Sequence, residues 1–254
     1  MLLVLSKLIV IAQCELFPFL DKRIMYDIKS LRINRTFKAL LKPVIDVTLL
    51  QRISLACDSM YLGHIFKALY LVAFYLFLRI SNLVPHSFAS YSHFKQLARA
   101  NVIFALPGAL LIIKWSKTLQ WNNKFRTIKI PSINNTALCP VTALNKVLAI
   151  TPGHKNSPLL QHFYNGQCVP LRDSKLRKHF KLVLNKLRLA DSNYTFHSFK
   201  RSGATLAFNC NVSLQGIKSQ GTWTSDCVWF YITQDSQASD EVARAFRATI
   251  NSTS

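Results

Sequence analysis

Acidic residues are scarce in this chain. Eleven Asp and Glu stand against 32 Lys and Arg in 254 residues, a formal net charge of +21. Glu15 and Glu241 are its only glutamates, and three of the acids, Asp235, Asp240 and Glu241, fall near the carboxyl end, so the body is more basic still. Such a chain is not built for cationic partners. It favours acidic ones, nucleic acid first and an anionic membrane surface second. Cysteine pairing is also lacking. Six cysteines, at 14, 57, 139, 168, 210 and 227, form no C-x-x-C pair, which removes the spacing signature of a structural zinc site. Disulfide frameworks belong to smaller domains denser in cysteine, so reduced thiols are expected. The few glycines fall in neither a dinucleotide-binding nor a phosphate-loop pattern. There are no internal repeats and no low-complexity tracts.

Long uninterrupted apolar runs are missing too. Met1 to Ala12 is apolar apart from Ser6 and Lys7. Lys7 sits inside the stretch, whereas a secretion signal places its charge in front, and the stretch falls short of the ~20 residues that cross a bilayer. It reads as a buried helix or as the start of a truncated reading frame. Tyr70 to Leu78 is apolar, but Arg79 and Asn82 interrupt it, so a buried helix is expected and no membrane association. Half of all residues are nevertheless apolar, enough for a sizeable core.

Between 22 and 43, Lys22, Arg23, Lys29, Arg32, Arg35, Lys38 and Lys42 accompany a rough helical stripe of Ile24, Ile28, Leu31 and Ile33. This is a basic helix or arm, either gripping phosphates or presenting a solvated face. After Pro43, Thr48 is placed to cap a helix to about Cys57. Residues 65–78 predict a central helix that Pro85 prevents from continuing. Val102 to Leu106 and Leu110 to Trp115, parted by Pro107-Gly108, read as two strands, and Phe125 to Ile130 as a third after an Asn122-Asn123 turn. Helical patterns return near 141–149, with Pro140 suited to the first turn. Residues 151–170 read as loop. Further helices are expected over 171–187, 197–210, 213–220, 226–232 and 239–250, the last capped by Ser239. The fold class is mainly α with a small three-stranded antiparallel sheet.

Several residues carry chemistry by type. Arg79 ends an apolar helix in Leu78-Arg79-Ile80-Ser81-Asn82-Leu83, where an unpaired charge is costly unless something anionic meets it. Lys117 lies at the sheet edge in Trp115-Ser116-Lys117-Thr118. His197 opens His197-Ser198-Phe199-Lys200-Arg201-Ser202-Gly203-Ala204-Thr205. Tyr231 stands ten residues after Gly221, with Thr222 and Trp223 directly behind that glycine. Cutting and rejoining a phosphodiester needs a hydroxyl nucleophile, cations around the nonbridging oxygens and an acid for the leaving 5′ oxygen. Tyrosine can attack phosphorus, arginine and lysine can hold the charge, and histidine can manage the phenolic proton.

In order and spacing these residues resemble the catalytic domain of the tyrosine recombinase (phage integrase) family, and look closest to recombinases borne by eukaryotic mobile elements. The family's arginine in L-R-I-S-E-L falls on Arg79, and its hairpin lysine on Lys117, with Lys124 as runner-up. The H-x-x-R box falls on His197 to Lys200, and the nucleophile on Tyr231. The resemblance covers residues 46–250 and implies the tyrosine-recombinase catalytic-domain fold. It implies site-specific recombination or integration of double-stranded DNA through a 3′-phosphotyrosyl link, without metal or other cofactor, by a tetramer of the chain on two duplexes. A nuclear location is expected from the DNA substrate. Residues 1–45 are then a truncated helical remnant or arm.

The departures are local. Lys200 replaces the family's second arginine, keeping the charge and losing the two-pronged donor. Arg201 is adjacent but points about 100° away on a helix. Thr222 stands where the family has His or Trp, and offers a hydroxyl, while Trp223 packs or donates its indole N–H. Asn82 replaces the acid of the first motif. One lost preorganised donor commonly costs about 10²–10³ in rate. The chain is therefore either a divergent enzyme or a catalytically inactive DNA-binding remnant of a mobile-element recombinase.

Overall fold

A computed structural model describes residues 43–57, 60–115, 125–134, 137–223, 228–229 and 231–232. They fall within the unit Lys42–Ser254, one of two into which the chain divides. The expected arm lies outside the described residues apart from 43–45. So do the Asn122-Asn123 turn, the 239–250 helix and much of the 226–232 helix.

Helix α1 (Val47–Ala56) is capped by Asp46 rather than Thr48; the Asp46 carboxylate accepts from the Leu49 N–H at 2.6 Å. Helix α2 (Tyr61–Tyr75) is the central element, with ten of its fifteen residues buried. It stops well before Pro85. Phe77 takes a left-handed conformation (φ 49°), which breaks the helix, and a short helix α3 (Ile80–Leu83) follows. Strands β1 (Val102–Ala105), β2 (Gly108–Ile113) and β3 (Arg126–Pro131) form the expected antiparallel sheet in the order β1-β2-β3, with Leu111 opposite both Val102 and Ile128. Ala109, Leu111 and Ile113 alternate into the core with Ile128 and Ile130, as the two-residue period of a strand requires. Helix α4 (Pro140–Ile150) packs on α2, and the Cys139 sulfur caps it by accepting from the Thr142 N–H.

The loop expected over 151–170 contains a second hairpin. Strand β4 (Gln161–Tyr164) pairs with β5 (Gln167–Pro170) through Asn165-Gly166, both at positive φ. Asn-Gly between two short runs is the composition that a tight two-residue hairpin demands. Helices α5 (Asp173–Lys186), α6 (Phe196–Asn209) and α7 (Leu214–Gln220) complete the described fold. Aromatic packing ties α2, α5 and α6 together. The Tyr70 ring stacks on Phe199 at 5.2 Å and 3°, and its buried hydroxyl lies 2.8 Å from His179 Nδ1, a hydrogen bond. Gly203 lets α6 approach the end of α2, since a Cβ there would collide with the Phe74 carbonyl and the Phe77 ring. Among the described residues, Cys57, Cys139, Cys168 and Cys210 are thiols, and no helix is long and apolar enough to cross a membrane.

His162 on β4 is 2% exposed. Burial, reinforced by Lys175 and Arg172, pushes its pKa down to about 4. The unfolded chain therefore binds a proton between pH 6.5 and 4 that the fold refuses, so stability falls as pH drops through that window. Urea titrations across it should show a loss of roughly 2–3 kcal/mol, and His162→Gln should remove most of that pH dependence. An equal slope in the variant would contradict the assignment.

Candidate active site

The end of α2, the start of α6 and the turn after α7 converge. Lys200 on α6 is 1% exposed. Its ammonium donates to the Phe77 carbonyl at 2.7 Å and to the Gly221 carbonyl at 3.0 Å. It also lies 3.9 Å from the centre of the Trp223 ring and 5.6 Å from that of Tyr231, a cation–π arrangement. Gly221 must be glycine for steric reasons, because a Cβ there would enter the Trp223 indole. Thr222 follows in the left-handed region (φ 56°), a strained position for a β-branched residue, and is 5% exposed. It is thus a buried turn residue, and Trp223 is the group that packs. The Trp223 Nε1 is buried and has no hydrogen-bond partner among the described residues.

Tyr231 is half-buried on a small second apolar cluster of Phe77, Ala204, Ile217, Trp223, Val228 and Ile232. The Thr205 hydroxyl donates to its backbone carbonyl at 3.1 Å, and its N–H donates to the Val228 carbonyl at 2.9 Å. The Trp223 ring stands 4.9 Å from the Tyr231 ring, and the exposed His197 ring 5.1 Å from it on the other element, α6. His197, Lys200, Thr222, Trp223 and Tyr231 are therefore gathered around one turn.

Arg79 adjoins this group through the chain, two residues beyond Phe77, at the amino-terminal cap of α3. It is half-buried. The one ion pair among the described residues joins Arg177 to Asp173 instead. Asn82 is 3% exposed and donates to the Trp115 carbonyl at 2.8 Å, which anchors the end of the sheet to α3. Lys117 and its runner-up Lys124 lie outside the described residues. Arg201 is buried beside Lys200, and desolvation lowers its pKa. No three His, Cys, Asp or Glu side chains gather as a metal site among the described residues.

Sequence reasoning missed Gln220 and Phe77. The Gln220 amide donates to the Tyr75 carbonyl at 2.9 Å, so α7 also meets the end of α2. Nothing in the sequence marks an aromatic residue for a left-handed turn. Thr205, by contrast, was visible as the end of the motif that begins at His197.

The fold is that of a tyrosine-recombinase catalytic domain. Two solved structures show this likeness. One is the XerH site-specific recombinase bound to difH in a pre-cleavage complex, at TM-score 0.57 and 16% identity over 80% of this chain and 54% of that one. The other is the Tn1549 transposon integrase with circular-intermediate DNA, at TM-score 0.55 and 12% identity over 80% of this chain and 64% of that one. The chain thus spans about half of the matched XerH chain and less than two-thirds of the matched integrase chain. At such identities the likeness is one of fold. No family model and no curated protein matches the chain. The matched recombinases are bacterial, which corrects two expectations from the sequence. The affinity to recombinases of eukaryotic mobile elements is overturned, because motif strings as short as Ser116 to Gln120 do not separate branches sharing one fold. The expected nuclear location is corrected with it, since the matched recombinases come from organisms without a nucleus.

Gly221→Ala should expel the indole from its seat and destabilise the fold by about 1–3 kcal/mol. Urea unfolding followed by tryptophan fluorescence measures this; a variant as stable as the parent would show that the turn does not depend on the ring contact.

Proposed function

We propose that the chain breaks and rejoins duplex DNA through a covalent link between Tyr231 and a 3′ phosphate. The observation that carries this reading is the pairing of His197 and Tyr231 rings at 5.1 Å from different segments, beside a buried cation, within a recombinase-type fold. The Tyr231 phenol oxygen attacks phosphorus as its proton passes to His197. The bond from phosphorus to the 5′ oxygen breaks, and that oxygen takes a proton from Lys117. Arg79, which finds no carboxylate among the described residues, faces the nonbridging oxygens. Rejoining reverses these transfers, so the bond energy is conserved. The net charge of +21 supplies backbone affinity for the duplex. A tetramer on two duplexes follows by analogy with the fold, not from a contact seen in this chain.

One observation favours a second reading, a DNA-binding protein without turnover. Lys200, in the place of a catalytic arginine, is buried and bonded to carbonyls.

Nicked duplex suicide substrates, presented as a sequence library, separate the two. The parent should form a denaturant-resistant DNA adduct, and Tyr231→Phe should form none while binding DNA with the same salt dependence. An adduct that persists in Tyr231→Phe would refute the assignment of the nucleophile. Binding with no adduct from the parent would establish the second reading.

A further inference from the structure

We propose that Lys200 is a positioning residue and not a cation of the scissile phosphate; this rests on the reading of Tyr231 as nucleophile. Its ammonium fastens the turn that leads into Arg79 to the turn that leads into Tyr231, and so sets how those two side chains face one another.

The case begins with what the ammonium already holds. Two of its donors go to the Phe77 and Gly221 carbonyls at 2.7 and 3.0 Å. Its charge lies over the Trp223 face at 3.9 Å. With 1% of the residue exposed and the Trp223 ring over its ammonium, the charge is closed to a phosphate in this structure. The two carbonyls help to keep a cation stable at this buried position. Gly221 is the carboxyl-terminal cap of α7, and Phe77 directly follows the cap of α2. Helix carboxyl ends carry partial negative charge and favour cations. The ammonium therefore neutralises two converging helix ends at once.

The shape of the group matters as well. Phe77 and Gly221 lie far apart in sequence and reach Lys200 from different elements. An ammonium offers three rotatable donors on a compact head, whereas a guanidinium presents a flat, larger fork. Arginine at 200 must push the indole away or abandon one carbonyl. Lysine is thus the residue this packing selects, not a weakened copy of arginine. Phe77 precedes Arg79 by two residues, and Trp223 touches Tyr231 at 4.9 Å between ring centres. The link from one functional side chain to the other passes through Lys200.

The test compares Lys200→Met and Lys200→Arg with the parent on two nicked duplexes, one an ordinary phosphodiester and one with an uncharged methylphosphonate at the cleavage point. Replacing a nonbridging oxygen by methyl removes the charge that a phosphate-binding cation would neutralise. Lys200→Met should form adduct at least about 100-fold more slowly on both substrates, with duplex affinity within about twofold of the parent. Lys200→Arg should be no faster than the parent. Rescue of Lys200→Met by the methylphosphonate to within about tenfold of the parent would overturn the proposal. So would acceleration by Lys200→Arg. If the parent forms no adduct, the reading of Tyr231 has failed, and hydrogen exchange then decides the positioning role alone. Lys200→Met should speed exchange in both 74–80 and 217–232 while leaving 47–56 as in the parent. Should Lys200→Met not fold, Lys200→Arg is read by the same exchange measurement with the same expectation. Unchanged exchange in either segment overturns the proposal.

Discussion

A helix that ends inside a protein has no water to meet its last carbonyls, and leaving them bare is costly. Helix α2 meets this constraint through its neighbours. Its Tyr75 carbonyl is met by the Gln220 amide, and the Phe77 carbonyl just beyond it by the Lys200 ammonium. The Phe74 carbonyl lies so near α6 that only glycine fits at 203. The groups that close α2 therefore come from α6 and α7, the same helices that deliver His197 and the Gly221 turn. Capping the central helix and assembling the site are one structural event.

The charge balance suits this arrangement. No Asp or Glu occurs between Asp58 and Asp173, a span that includes α2, the three-stranded sheet, α4 and both strands of the second hairpin. Over this span a cation has no carboxylate near it in sequence. Arg99 shows the same solution away from the site, donating to the Thr151 and Leu148 carbonyls at the end of α4. Carbonyl groups at helix ends stand in for acids. The excess of basic over acidic residues suits a chain whose proposed ligand is a polyanion.

Much of this was legible beforehand because it rests on local rules. The strands on either side of Pro107-Gly108 follow alternation, and α4 follows Cys139-Pro140. The His197 to Thr205 motif falls on α6, where Lys200 and Thr205 meet the Gly221 and Tyr231 segments. The end of α2 was not legible. Apolar periodicity continues through Phe77, and the break there is a left-handed aromatic held by tertiary packing, against its own preference. The second hairpin was missed for a different reason: glycines and prolines over 151–170 masked the Asn165-Gly166 turn. The burial of Lys200 was hidden too, because sequence gives its charge but not the two carbonyls it meets.

Among the described residues, Tyr231 is held by few contacts. The main core embraces α2, the sheet, α4 and α5, whereas Tyr231 rests on the small cluster around Trp223. That cluster is small, Tyr231 is only half-buried on it, and the indole nitrogen at its centre is unsatisfied among the described residues. Polar ties supply the rest: Thr205 to the Tyr231 carbonyl, and Lys200 to the Gly221 carbonyl and the indole face. Each tie begins on α6, one turn and a fraction apart, so the rigidity of α6 passes directly to the Tyr231 segment. The position of Tyr231 relative to His197, which lies on that same helix, is accordingly fixed more firmly than its place in the core would give.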